Sequence, residues 1–177
     1  AGLRGTGVRR IMHELGLVAR GDASVWLSSG EGVHIFPAEA DATKWRALIE
    51  APPDSPFTGG IFALVVLIPA AYPEEPPLLL FETPVYHCNV SDSGSICLDL
   101  LREKWTSAFT VPKALEAVRL LLAHPIPDDA QRQWIAELTI SHVVSKGADR
   151  RYADAAAACV RKEAARSLSE WRAQWGC

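Results

Sequence analysis

The amino-acid sequence predicts an α+β fold: an N-terminal helix, a four-stranded antiparallel meander, and then helices packed on one face of the sheet. Three observations carry this expectation. Apolar residues recur at helical spacing near the start, and four short apolar or β-branched runs follow between residues 33 and 82, punctuated by proline and glycine. After residue 110 the pattern is helical again and becomes rich in alanine. A chain of 177 residues, 49% of them apolar, is long enough to bury one sizeable core, so a single domain over residues 1–177 is expected.

Each element has its own signal. Val8, Ile11, Met12, Leu15 and Val18 fall on one helical stripe, with Arg9, Arg10, His13 and Glu14 on the other side and Thr6 as a potential cap. Residues 20–32 contain Gly21, Ser28, Ser29, Gly30 and Gly32 and read as a loop, interrupted by the apolar triplet Val25-Trp26-Leu27. Strands are expected over Val33 to Pro37, Lys44 to Glu50, Gly60 to Ile68 and Leu78 to Glu82. The turns between them lie around Glu39–Asp41, Pro52–Pro56 and Tyr72–Pro77.

Thr110 is placed to cap a helix from Val111 to about Ala123, with Pro112 in the permissive first turn. Its buried stripe would be Ala114, Leu115, Val118, Leu121 and Leu122. Residues 124–129 break it with two prolines and carry the Asp128-Asp129 pair. Gln131 to Val144 and Asp149 to Trp175 complete the chain as helices, parted by Lys146-Gly147. Trp171 and Trp175, four residues apart, are expected to pack on the domain.

Charge and cysteine content exclude several classes. A net charge of −3 gives no electrostatic case for nucleic acid, and the longest apolar runs fall short of the ~20 residues that span a bilayer. A soluble protein is expected. Cys88, Cys97, Cys159 and Cys177 show neither a disulfide framework nor paired zinc spacing, and no signal-peptide pattern is read. These features favour a reducing compartment, cytoplasm or nucleus.

The chemistry concentrates between His87 and Leu101. Cys97 ends a small polar turn ahead of an apolar run, and Asn89, eight residues earlier, offers a neutral amide that could reach the same point. A thiol beside an amide donor suits acyl transfer through a thioester. A preorganised amide aimed at the oxyanion contributes about 10²–10³ in rate, and a thiolate is nucleophilic even when only a few per cent ionised. Asp92 and Asp99 are anionic, so nothing adjacent argues for a strongly depressed thiol pKa. On residue type alone a buried structural cysteine is the commoner case. A cysteine hydrolase would need a base, for which His34, His87, His124 and His142 are available. Zinc on His87, Cys88 and Cys97 would lack a fourth ligand, so no metal and no cofactor are expected.

The motif resembles the ubiquitin-conjugating enzyme family. That family carries a His-Pro-Asn triplet, a cysteine eight residues after the Asn, then Leu, often Asp, and a tryptophan some eight residues beyond the cysteine. His87, Asn89, Cys97, Leu98, Asp99 and Trp105 stand at those positions, with Cys88 in place of the proline. Arg9-Arg10-Ile11, Trp45, Asp54-Ser55-Pro56-Phe57, Gly59-Gly60, Tyr72-Pro73, Pro76-Pro77 and Pro127-Asp128-Asp129 follow the family's order. The resemblance covers about residues 8–160 and leaves the end of the last helix as an extension.

The resemblance implies an acyltransferase of the ubiquitin conjugation pathway. An activating enzyme would pass ubiquitin to Cys97 as a thioester, and a substrate lysine would then take it, usually with a RING-type or other ligase. Asn89 would stabilise the oxyanion and organise the loop, Asp99 and Asp129 would orient the amine, and Tyr86 and Leu98 would desolvate it. Arg9, Arg10 and His13 become contacts for the activating enzyme, and Glu74, Ser107 and Ala108 stand at ligase-facing positions. Glu74 and Ser107 depart from the apolar residues usual there. His34 stands where relatives often carry a small polar residue on the outer sheet face, which receives a second, non-covalent ubiquitin. Relatives dedicated to the modifier SUMO usually carry extra residues between cysteine and tryptophan, which the short Cys97–Trp105 interval lacks. The alternative is a non-catalytic variant that keeps the fold and acts as a ubiquitin or partner binding module.

Overall fold

The computed structural model describes residues 5–176, with side chains from residue 7 onward, so Thr6 as a cap and Cys177 lie outside the described residues. Helix α1 spans Gly5–Ala19. Strands β1 (Val33–Ala38), β2 (Asp41–Glu50), β3 (Ile61–Leu67) and β4 (Leu78–Phe81) follow. All pair antiparallel in the order β1-β2-β3-β4, the expected meander. Helices α2 (Val111–Ala123), α3 (Gln133–Val144), α4 (Arg151–Cys159) and α5 (Leu168–Trp175) complete the chain, α4 running on through a π turn at Val160–Ala164.

Strand alternation sorts the sheet into two faces. Trp45, Ala47 and Ile49 of β2, with Phe62, Leu64 and Val66 of β3, enter the main core. They meet Ala114, Leu115, Val118, Leu121 and Leu122 of α2, the stripe that the sequence predicts. Thr110 caps α2 as expected, its hydroxyl accepting the Lys113 N–H.

Two elements differ from expectation. Helix α1 is rolled about its axis: Met12 of the predicted apolar stripe is 59% exposed, while Ile11 and Glu14 are buried. The reason is the Glu14 carboxylate, which accepts hydrogen bonds from Tyr72 Oη (2.6 Å), Arg10 Nε (2.6 Å) and the Val111 N–H (3.0 Å). A buried carboxylate is tolerated because every bond it receives offsets lost hydration. In the same way Glu116 of α2, also buried, accepts the Leu27 (2.7 Å) and Ser28 (3.1 Å) N–H groups and fastens the 20–32 loop onto the helix.

The predicted last helix, Asp149 to Trp175, is two helices. Ser167 restarts the chain as α5 with a capping box: its hydroxyl accepts the Glu170 N–H and the Glu170 carboxylate accepts the Ser167 N–H. The restart turns α5 onto the outer face of the sheet, so the helices do not all lie on one side. Trp171 packs there with Leu48 and Ala63, and Trp175 meets the Phe36 ring edge-on at 5.6 Å with Arg46 over its own ring at 5.0 Å. No helix among the described residues is long and apolar enough to cross a membrane.

Candidate thiol site

The site is built on the irregular segment after β4. A turn at residues 91–95 folds back on that strand, with the Phe81 N–H donating to Gly94 O (2.9 Å). Gly94 has φ 81°, and a Cβ on it would lie 2.0 Å from Phe81 O, so the approach demands glycine. Bridges Leu80 to Ser95 and Val90 to Ile96 extend the anchorage. At its end the Cys97 N–H donates to Asn89 O (2.8 Å), which holds the two predicted site residues side by side. Cys97 is partly exposed, whereas Cys88 is buried.

The Asn89 amide is fully engaged. Nδ2 donates to Ile126 O (2.7 Å) and Asp129 O (3.1 Å), and Oδ1 accepts the Ile126 N–H (2.9 Å) and the Cys88 thiol (3.3 Å). These bonds brace the Pro127–Asp129 turn against the thiol segment and leave Asp129 exposed at its rim.

Asp99 opens a short turn, Asp99–Leu101, just beyond Leu98. The Lys104 ammonium pairs with the Asp99 carboxylate and holds it below the usual carboxylate range.

His87 is not a base for the thiol. It is wholly buried, Nδ1 accepts the Asn89 N–H (3.1 Å), and Nε2 is therefore protonated and donates to Leu121 O (2.9 Å). Burial holds its pKa down to about 4. Cys88, at the place of the family's proline, is likewise structural: burial pushes its thiol pKa up, which keeps the sulfur protonated and unreactive. Among the described residues no cluster of three His, Cys, Asp or Glu side chains could hold a metal ion.

The other predicted residues lie on neighbouring elements. Tyr86 meets Trp134 edge-on (ring centroids 5.4 Å) and Tyr152 at a tilt (6.2 Å), on the side of α3 and α4. Leu98 is buried in the main core and backs the thiol segment from beneath. Tyr86 is half-buried, whereas Leu98 is buried. Arg10 is drawn into structure, donating to Glu14 and, through Nη2, to Phe109 O (2.9 Å), while Arg9 and His13 stay exposed on α1. Glu74, Ser107 and Ala108 are exposed on two loops that Trp105 joins, its Nε1–H donating to Pro73 O (2.9 Å).

Arg132 is a site-supporting residue absent from the sequence reading. Its guanidinium donates to Val85 O and His87 O (3.2 Å) and pairs with Asp92 (2.9 Å), pinning the segment that leads to Asn89. Its position just after the acidic loop was the only available signal, since its carbonyl partners are more than 40 residues away.

The segment thus presents a partly exposed thiol tied to Asn89, beside a histidine held in structural hydrogen bonds. Comparison with known proteins identifies the family. The family model "Ubiquitin-conjugating enzyme" matches residues 20–152, most of the chain, and the chain belongs to that family. It is similar to the E2 domain of a Toxoplasma gondii ubiquitin conjugating enzyme: 30% identity, 88% of this chain and 97% of that one covered, TM-score 0.72. Membership implies ubiquitin, an activating enzyme and a ligase as the general partners of such a chain.

Proposed function

We propose that this chain is a catalytically active conjugating enzyme, with Cys97 accepting ubiquitin as a thioester and passing it to a substrate lysine. The observation that carries the reading is Cys97 itself, partly exposed and tied through its N–H to Asn89, two residues before Asp99. A binding module would have no need of a reactive thiol in that setting. The short interval to Trp105 favours ubiquitin over SUMO, and cytoplasm or nucleus is the proposed location.

In the first step the Cys97 thiolate attacks the activated C-terminal carbonyl and displaces the carrier thiol of the activating enzyme. In the second a lysine amine attacks the new thioester. That amine has an ordinary pKa near 10.4 and must shed a proton first. Asp99 and Asp129 would by charge alone raise its pKa, so their task is to orient it by accepting hydrogen bonds. Asn89 holds the Asp129 turn in register and, on releasing Asp129 O, offers Nδ2 to the oxyanion. Arg9 and His13 are the proposed contacts for the activating enzyme, and the Trp105-joined loops those for a ligase.

Discharge of the charged protein to free lysine tests the reading. Transfer is expected in the intact chain, with Asn89→Ala slowed about 10²-fold in discharge and far less in charging, because the oxyanion of the amide-forming step is the more demanding one. A stable thioester that never discharges, with or without a ligase, would favour the binding module instead.

A further inference from the structure

Helix α3 buries one face and leaves the other uncovered. Ile135, Ala136 and Thr139 are buried against the domain. On the outward side Trp134, Glu137, Ile140 and Val144 recur at helical spacing, with Val143 beside them. Trp134 is 56% exposed and Val144 77%, and Ile140 and Val143 are exposed as well, so this one helix carries four of the large apolar side chains that stand in solvent among the described residues. Apolar residues scattered singly over a surface need no cause, but a contiguous stripe marks a contact surface.

The stripe begins at the thiol segment. The N–H groups of Gln131 and Arg132 donate to Cys88 O (2.8 and 3.1 Å), and Gln131 Nε2 donates to Ser95 O (3.2 Å), two residues before Cys97. Trp134 follows three residues later, its ring held edge-on to Tyr86, the chain neighbour of His87. Through these links Trp134 lies on the order of 15–20 Å from Cys97, a span that about five or six extended residues cover. A tryptophan already held in place loses little freedom on binding and makes an efficient anchor.

The surroundings select the charge of the partner. Asp128 and Glu137 flank Trp134 along the chain, are exposed, and form no ion pair among the described residues. Arg132, the cation between them, is committed to Asp92 and to backbone carbonyls. Lys146 lies beyond the far end of the stripe.

We propose that the outward face of α3 is a docking surface for the protein substrate. It takes a basic segment whose large apolar side chain seats on Trp134, about five or six residues from the acceptor lysine. The inference rests on the reading of Cys97 as acyl carrier and names the class of substrate that this carrier serves. Asp128 and Glu137 supply the complement to the basic residues of that segment. Contacts so far from the reacting atoms are made equally before and during transfer, so they lower the apparent KM for the acceptor and leave kcat unaltered.

The test charges the full chain with ubiquitin, removes ATP, and follows loss of the thioester to two short peptides below saturation. Both contain one lysine and two arginines, and they differ only in a leucine or a serine at the fifth residue from the lysine. Each rate is divided by the same protein's discharge to free lysine. The leucine peptide is expected to discharge the thioester about fivefold faster than the serine peptide, as befits an apolar side chain half buried on an indole face. The ratio should fall to near one in Trp134→Ala and return in large part in Trp134→Phe. Glu137→Lys should weaken the use of both peptides relative to free lysine. Equal use of the two peptides by the parent protein, or an unchanged ratio in Trp134→Ala, overturns the proposal, and so does a Trp134→Ala defect confined to ligase-stimulated discharge, which would assign the face to the ligase. None of these outcomes touches the carrier reading, which discharge to free lysine reports separately. Failure to form any thioester would overturn that reading and the proposal with it.

Discussion

At the level of single residues, the thiol site depends on groups whose polar atoms are committed to structure. His87 is the clearest case, because its ring joins Asn89 to α2 only while one nitrogen carries a proton and the other does not. Its folded pKa of about 4 lies below the ordinary 6.5, so the unfolded chain takes up the proton first on acidification. Stability from this group is intact above pH 6.5 and is lost as pH falls from 6.5 to about 4, at up to ~1.4 kcal/mol per pH unit. Urea unfolding across that window should show the slope, and His87→Gln, which cannot titrate, should flatten it. An unchanged slope would remove His87 as its source. The role proposed for Asp129 is kinetic instead: Asp129→Asn should slow discharge to lysine several-fold and alter its pH profile, with charging preserved. If discharge and profile both stay as in the parent protein, Asp129 does not touch the amine.

At the level of elements, two pieces of chain are attached by few side chains. Helix α5 is eight residues long and holds the outer sheet face chiefly through Trp171 and Trp175. So short a helix does not persist unsupported in water. Trp171→Ala should therefore release α5 as a unit: amide exchange across residues 168–175 rises to coil rates, β2 and β3 keep their protection, and Tm falls by about 2–4 °C. Retained protection in α5 would contradict this. The 20–32 loop hangs on Glu116. Burial raises the Glu116 pKa, but bonds from Ser28 and Leu27 outweigh it and leave a net lowering, so the anchor is a carboxylate at neutral pH. Glu116→Ala strands two N–H groups and should cost about 2–3 kcal/mol, with faster exchange at Leu27 and Ser28 as its local sign. Equal exchange in both proteins would place the loop's support elsewhere.

At the level of the whole molecule, what could be read from the sequence was what depends on short range. Strand alternation from Val33 to Phe81 and the stripe of α2 follow from local periodicity, and the meander follows from short turns between successive strands. The thiol motif was legible for the same reason, since Asn89 and Cys97 lie eight residues apart and meet through one backbone hydrogen bond. Long-range pairing was not legible. Glu14 looks like a solvated helix residue until Tyr72 and Val111, 58 and 97 residues away, supply its hydrogen bonds. Arg10 follows it, half-buried through its bonds to Glu14 and Phe109 O. The break before α5 was written locally, as Ser167 and Glu170 in capping-box spacing, but the alanine-rich run before it read as one continuous helix. Only the fold shows that this break places α5 on the outer face of the sheet, above His34, Phe36 and Leu48.

The central claim is that Cys97, among the cysteines of the chain, carries the acyl group. The most direct measurement incubates the purified protein with ATP, a ubiquitin-activating enzyme and ubiquitin, and resolves the product with and without reductant beside Cys97→Ala, Cys88→Ala and Cys159→Ala. A single reductant-sensitive adduct that persists in Cys88→Ala and Cys159→Ala and vanishes in Cys97→Ala is the expected result. No adduct in the parent protein, or one that survives Cys97→Ala, would contradict the claim.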